Sequence, residues 1–194
     1  MIALIDYGAG NVASVANALE VLGQEYKITN NEVEIYCADR VIFPGVGEAS
    51  YAIKRIHVLN LFTVFKAIKK PVLGICLGMQ LLADFSTEGN ISCLGIFPGV
   101  AERFDSTKTK VPHMGWNDIT FTTESKLFKG IKNGERFYFA NSYYIPPTKF
   151  TTSIADNNII LSASMEKENY YGVQFHPEKS GETGLKLLQN FIEL

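Results

Sequence analysis

The chain has 194 residues, enough for one well-cored domain and short for two. With 46% apolar and 20% charged residues and a formal charge of -2, it has an ordinary globular composition and no basic footprint for nucleic acid. No apolar run approaches the ~20 residues that span a bilayer, and the opening M-I-A-L-I-D-Y-G-A-G-N lacks the regions of a signal peptide.

In chain order, I-A-L-I-D (2–6) is a short apolar run closed by Y-G-A-G-N, which predicts a buried strand. Val12, Val15, Ala16, Leu19 and Leu22 then fall at helical spacing, with Gly23 as the stop. E-Y-K-I-T predicts a second strand, and D-R-V-I-F-P-G-V-G a third, cut by its Pro-Gly turn. Two helical patterns, 48–57 and 59–69, lead to P-V-L-G-I-C as a fourth strand, and L-G-M-Q-L-L-A-D-F-S predicts a helix starting right after the cysteine. The alternation of strand and helix implies a mostly parallel central sheet with helices on both faces. The second half changes character. G-W-N-D-I-T-F, R-F-Y-F-A-N-S-Y-Y, T-T-S-I-A-D, I-I-L-S-A-S-M and Y-Y-G-V-Q-F are strand-like runs that add antiparallel strands, and an amphipathic helix over about 181–193 closes the chain. Without repeats or linkers, residues 1–194 are expected to form a single domain.

Three cysteines (Cys37, Cys76, Cys93) and three histidines (His57, His113, His176) give neither a disulfide framework nor zinc-ligand spacing, which points to a reducing cytoplasm and no metal. Cys76 stands apart because G-I-C-L-G joins a strand to a helix, the layout of a nucleophile elbow. A helix starting at Leu77 would aim free N–H groups and its positive end at the sulfur, favouring the reactive thiolate. The same stretch also fits a buried cysteine on a glycine-rich turn. A cysteine nucleophile needs a base and the base an orienting group. V-Q-F-H-P-E-K-S (173–180) offers His176 and Glu178, two apart in a segment expected to be extended, so that both point to one side. F-P-G-V-G-E-A-S (43–50) lies at a strand end, where peptides around Gly45, Val46 and Gly47 could turn an N–H toward a substrate carbonyl, with the Leu77 amide as second donor. A competing reading takes Y-G-A-G-N-V-A (7–13) as a G-x-G-x-x-A dinucleotide fingerprint, although Asn30 stands where that fold wants an acid.

Taken together, P-G-V-G, G-I-C-L-G-M-Q, V-P-H-M-G-W-N and G-V-Q-F-H-P-E-K-S, in this order, resemble the class I (triad-type) glutamine amidotransferases. D-Y-G-A-G-N and K-V-P-H-M-G-W-N point within them to the glutaminase subunits of imidazole glycerol phosphate synthase, from histidine biosynthesis. The resemblance runs from Ile2 to the last helix. It implies that Cys76 attacks the amide of L-glutamine, that His176 serves as base and then acid, and that Glu178 orients it. It also implies that Gln80, Glu88, Ser142 and Tyr143 contact the substrate, and that no cofactor is required. Ammonia would pass to a (β/α)8-barrel cyclase subunit, docked on a face that includes Asn11, Met114 and Trp116. The chain departs from the family at Asn141, where histidine is usual, so a paralogous glutaminase feeding sugar amidation for surface polysaccharides is a second reading. A glutaminase-like scaffold without catalysis is a third, which the intact Cys76, His176 and Glu178 oppose.

Overall fold

The computed structural model describes residues 1–8 and 10–194. Ala9, inside the possible dinucleotide fingerprint, lies outside the described residues. Strands β1 (Ile2–Ile5), β2 (Tyr26–Thr29), β3 (Arg40–Gly45) and β4 (Val72–Cys76) alternate with helices α1 (Val12–Val21), α2 (Glu32–Cys37), α3 (Ala49–Val58) and α4 (Leu61–Ala67). A short helix α5 (Leu77–Leu81) follows β4, then β5 (Ala83–Ser86), β6 (Ile91–Ser92) and β7 (Phe97–Arg103). The remainder holds β8 (His113–Asp118), β9 (Thr120–Phe121), β10 (Arg136–Asn141), β11 (Tyr143–Tyr144), β12 (Thr151–Asp156), β13 (Ile160–Lys167), β14 (Tyr170–Val173) and the last helix α6 (Gly181–Ile192).

An eight-stranded sheet runs in the order β2-β1-β3-β4-β14-β13-β12-β9. Its first five strands pair in parallel, and β13, β12 and β9 add on antiparallel, as the change of pattern along the sequence implies. A parallel sheet must be covered on both faces, and the strands show how. On β1, Ala3 and Ile5 enter one core with α2, α3, α4 and α5, while Ile2 and Leu4 enter a second core with α1 and α6. A four-stranded sheet (β11-β7-β5-β6) and a two-stranded ribbon (β10-β8) complete the fold.

Two local features depart from the sequence pattern. Periodicity marks no helix over residues 31–37, yet α2 forms, because the Asn31 side chain accepts from the Val33 and Glu34 amides and caps it. The helix after Cys76 ends at Leu81 rather than running through A-D-F-S. Residues 83–86 pair instead with β7 and β6, an arrangement fixed by segments farther along the chain and invisible to local periodicity.

The parallel strands end together at one edge, where β3 and β4 are in register with Gly45 opposite Cys76. There the backbone of α5 lies directly on β3. A Cβ on Gly78 would sit 1.9 Å from the Phe43 carbonyl oxygen, and one on Gly45 would sit 2.7 Å from the Gly78 nitrogen. Gly78→Ala should therefore cost roughly 3 kcal/mol or more, since neither backbone can yield without disturbing the sheet. Gly47→Ala meets no atom within 4 Å and has only its positive φ of 98° to resist it, a cost of about 1–2 kcal/mol. Urea unfolding of the two variants should separate them in that order.

Candidate active site

Cys76 ends β4 with φ 54° and ψ −109°, a backbone region that a side-chain-bearing residue rarely occupies. The fit of Gly78 against Phe43 and of Gly45 against Leu77 holds it there. The side chain is lifted off the end of the sheet but remains 6% exposed. With five residues, α5 is too short for a substantial macrodipole, so what it gives the sulfur is the unpaired amides of a first helical turn. The thiol makes a long 3.9 Å contact to the Ala140 carbonyl, and Gln174 Nε2 donates to Sγ at 3.5 Å.

His176 reaches this cysteine because β14 lies beside β4 in the sheet. The spacing of His176 and Glu178 predicts an extended segment, but the chain turns there into a 3₁₀ turn, Pro177–Lys179. Proline suits the first position of such a turn and keeps the preceding His176 extended. The turn still delivers the contact, with Glu178 Oε1 2.8 Å from His176 Nδ1. Both side chains are buried, at 3% and 1% exposure. The His176 backbone is fixed from two sides: its N–H donates to the Tyr138 carbonyl at 2.8 Å, and its carbonyl accepts from Ser180 Oγ at 2.6 Å. Ser180 Oγ in turn accepts from the Tyr138 amide at 3.0 Å, tying the turn to β10. Gly184 lets α6 close on the turn, where a Cβ would stand 1.9 Å from the Pro177 carbonyl oxygen. Burial works against a charged imidazole, but Cys76 and Glu178, through hydrogen bonding and charge, outweigh it and raise the His176 pKa to about 10.

Beside the cysteine opens a cavity of about 180 Å³ walled by Val46, Gly47, Cys76, Leu77, Gln80, Glu88, Ala140, Asn141, Ser142 and Tyr143. Eight of the site residues expected from the sequence, and Asn141 with them, thus meet around one space. Gly45 lies just outside it, and its glycine serves the close approach of α5 rather than a freely turning peptide; Gly47, with its positive φ, keeps that freedom. Glu88 Oε2 accepts from the Ala49 amide at the start of α3. Burial is the main cause raising its carboxyl above the ordinary range. Gln80 faces the cavity, but both hydrogens on its Nε2 are committed, to the Tyr143 carbonyl and to Gln174 Oε1, each at 2.8 Å. The Tyr143 carbonyl also accepts from Asn141 Nδ2 at 2.9 Å, so it is filled. A larger depression of about 870 Å³ along Phe121–Lys129 and Glu166 holds none of the predicted site residues.

Met114 and Trp116 project from the same face of β8, at 65% and 49% exposure, with Trp116 edge-on to Tyr138. Asn11 stands at the start of α1, past the end of β1, on the edge of the sheet that also carries Cys76. His113 turns inward instead and stacks on Phe139, where burial lowers its pKa. Among the described residues there is no helix long and apolar enough to cross a membrane and no cluster of three or more metal-ligating side chains. Gln174 and Ser180 escaped the reading of the sequence. The available signal was a glutamine inside an otherwise apolar strand run, because a fully buried polar side chain must have partners.

The family model described as "Glutamine amidotransferase class-I" matches residues 3–194. The chain is 48% identical over 195 residues to the Imidazole glycerol phosphate synthase subunit HisH of Bacteroides fragilis, covering 100% of this chain and 99% of that protein. It is 43% identical over 196 residues to the protein of the same name from Archaeoglobus fulgidus, covering 100% and 98%. In fold it is similar to the crystal structure of a glutamine amidotransferase, with TM-score 0.77, 16% identity, and coverage of 100% of this chain and 98% of that one.

The charge environment of His176 gives a direct test. The ring should remain protonated through neutral pH and lose its proton near pH 10. Glu178→Gln removes a negative neighbour that favours the protonated ring, so the midpoint should move to lower pH. Imidazole NMR resonances followed against pH measure both, with His113 titrating below its ordinary range as an internal contrast.

Proposed function

The chain belongs to the class I glutamine amidotransferase family, and on that premise we propose that it is the glutaminase subunit of an imidazole glycerol phosphate synthase. The observation that carries the reading is the meeting of Cys76 with the buried His176–Glu178 pair beside a cavity of about 180 Å³, room for one small amino acid. As a single domain over residues 1–194, it hydrolyses L-glutamine to glutamate and ammonia and works with a cyclase subunit that consumes the ammonia.

The chemistry follows from the placement of the groups. Cys76 Sγ, its proton held on His176, attacks the side-chain carboxamide carbon and forms a C–S bond. The tetrahedral oxyanion is held by the Leu77 amide and a peptide N–H of the Gly45-Val46-Gly47 segment. Collapse breaks the C–N bond, and His176 delivers its proton to the departing ammonia. Water, deprotonated by His176, then opens the thioester, releasing glutamate and leaving the sulfur beside the protonated imidazole. Glu178 keeps Nδ1–H engaged, so that Nε2 is the nitrogen that exchanges protons. Glu88 supplies a carboxylate for the substrate α-ammonium, assisted by Gln80 Oε1 and the backbone of Ser142 and Tyr143. Gly47 gives the Val46–Gly47 peptide room to turn, so the second oxyanion donor can be withheld until the partner is engaged, and a missing donor costs ~10²–10³ in rate.

The partner is a (β/α)8-barrel cyclase, docked over Asn11, Met114 and Trp116 in the cytoplasm. The names borne by the similar proteins favour this acceptor over a sugar-modifying one, despite Asn141.

Cys76→Ala should lower glutamine-dependent activity roughly 10⁴-fold or more, while the complex still turns over with added ammonium; normal glutamate release by the variant would exclude Cys76 as nucleophile. Trp116 is the sole tryptophan. Its fluorescence should shift on titration with a cognate barrel subunit toward a one-to-one complex, and an unchanged spectrum and sedimentation profile would remove Trp116 from the interface.

A further inference from the structure

The polar side chains behind the cavity form a chain with a fixed direction. A backbone carbonyl only accepts, so at 2.8 Å from the Tyr143 oxygen Gln80 must present its NH2 group. The second hydrogen of that group goes to Gln174, also at 2.8 Å, so Gln174 must turn its oxygen toward Gln80. Its own NH2 is then left facing Cys76, 3.5 Å from Sγ. No other orientation of the two amides satisfies all three contacts. Gln174 is fully buried, at 0% exposure, and cannot turn to water for an alternative.

We propose that Gln174 is a catalytic residue: its side-chain N–H is a preorganised donor to the Cys76 sulfur, aimed by Gln80 and ultimately by the Tyr143 carbonyl. The inference rests on Cys76 being the nucleophile. A neutral amide placed there favours the anionic sulfur without adding a charge that would compete with His176 for the proton. It acts before the C–S bond forms and again when the sulfur leaves the tetrahedral intermediate of thioester hydrolysis. The titratable groups around the sulfur do different work. His176, after β14, exchanges protons. The Tyr7 hydroxyl, after β1, is held in its neutral form by burial first and by the Cys76 charge next, and Glu88 stands across the cavity after β5. Gln80 is a positioning residue, acting through Gln174.

The test reads the sulfur itself. Iodoacetamide alkylation of Cys76, quantified on its own peptide by mass spectrometry so that exposed Cys37 does not interfere, is measured against pH in the full chain. Gln174→Met, similar in shape but without a donor, should shift the alkylation profile to higher pH and slow the reaction at neutral pH about tenfold or more. In the complex it should lower kcat by ~10–100-fold with little change in KM, the range expected for one hydrogen bond to a charged group. A second measurement needs no substitution at this site: in the native protein the Gln174 side-chain amide NMR signal should titrate together with the alkylation profile, and Cys76→Ala should abolish that titration. An unshifted alkylation profile in Gln174→Met, or an amide signal indifferent to Cys76, overturns the proposal. Neither the alkylation profile nor the amide signal needs glutamine turnover, so a failure of the glutaminase reading would appear separately, as glutamate release surviving in Cys76→Ala.

Discussion

The site depends on one approach of backbone to backbone. Gly78 lies against the Phe43 carbonyl so closely that no side chain fits between them. That contact presses α5 onto the end of β3 and forces Cys76 into its left-handed conformation. Gly184 does the same for the other half of the site, letting α6 seat on the turn that carries His176 and Glu178. The two halves then meet because β4 and β14 are adjacent parallel strands. A cysteine held by a strained elbow and a histidine held by a hydrogen-bonded turn need no loop closure to meet.

The electrostatics are similarly economical in charge. Cys76 and Glu178 raise the His176 pKa against the cost of burial. Around the sulfur the protein places neutral groups, a side-chain amide and a carbonyl, which set direction without adding ions. In this buried network the filled Tyr143 carbonyl is the terminus that sets the polarity of the rest.

The first half of the chain was legible because apolar runs of strand length alternate with helical patterns and stop at Gly or Pro. Helix α2 was not, since only Ile35 among its six residues is buried and its stability comes from the Asn31 cap. Strand β5 was hidden because Leu81, Leu82 and Ala83 continue an apolar run, and only the pairing with β7 tells the chain to leave the helix. The identity of the His176–Glu178 pair followed from proximity in sequence, while its geometry did not: extended chain and a 3₁₀ turn both bring two such residues together. Gln174 and Ser180 act through bonds to Cys76 and Tyr138, partners distant in sequence, so local pattern carried little sign of them.

The pairing of β4 with β14 also sets an order of events during synthesis. Cys76 and Gln174 are separated by 98 residues, and domains emerge from the ribosome N-terminus first. A growing chain therefore carries its sulfur through that whole interval with neither the amide donor nor the imidazole beside it. The last parallel strand to be made is the one that slots between β4 and β13, so the surroundings of Cys76 are completed only once β14 and the turn after it exist. The polar surroundings of the sulfur are thus a late product of synthesis, delivered by β14 and the turn that follows it.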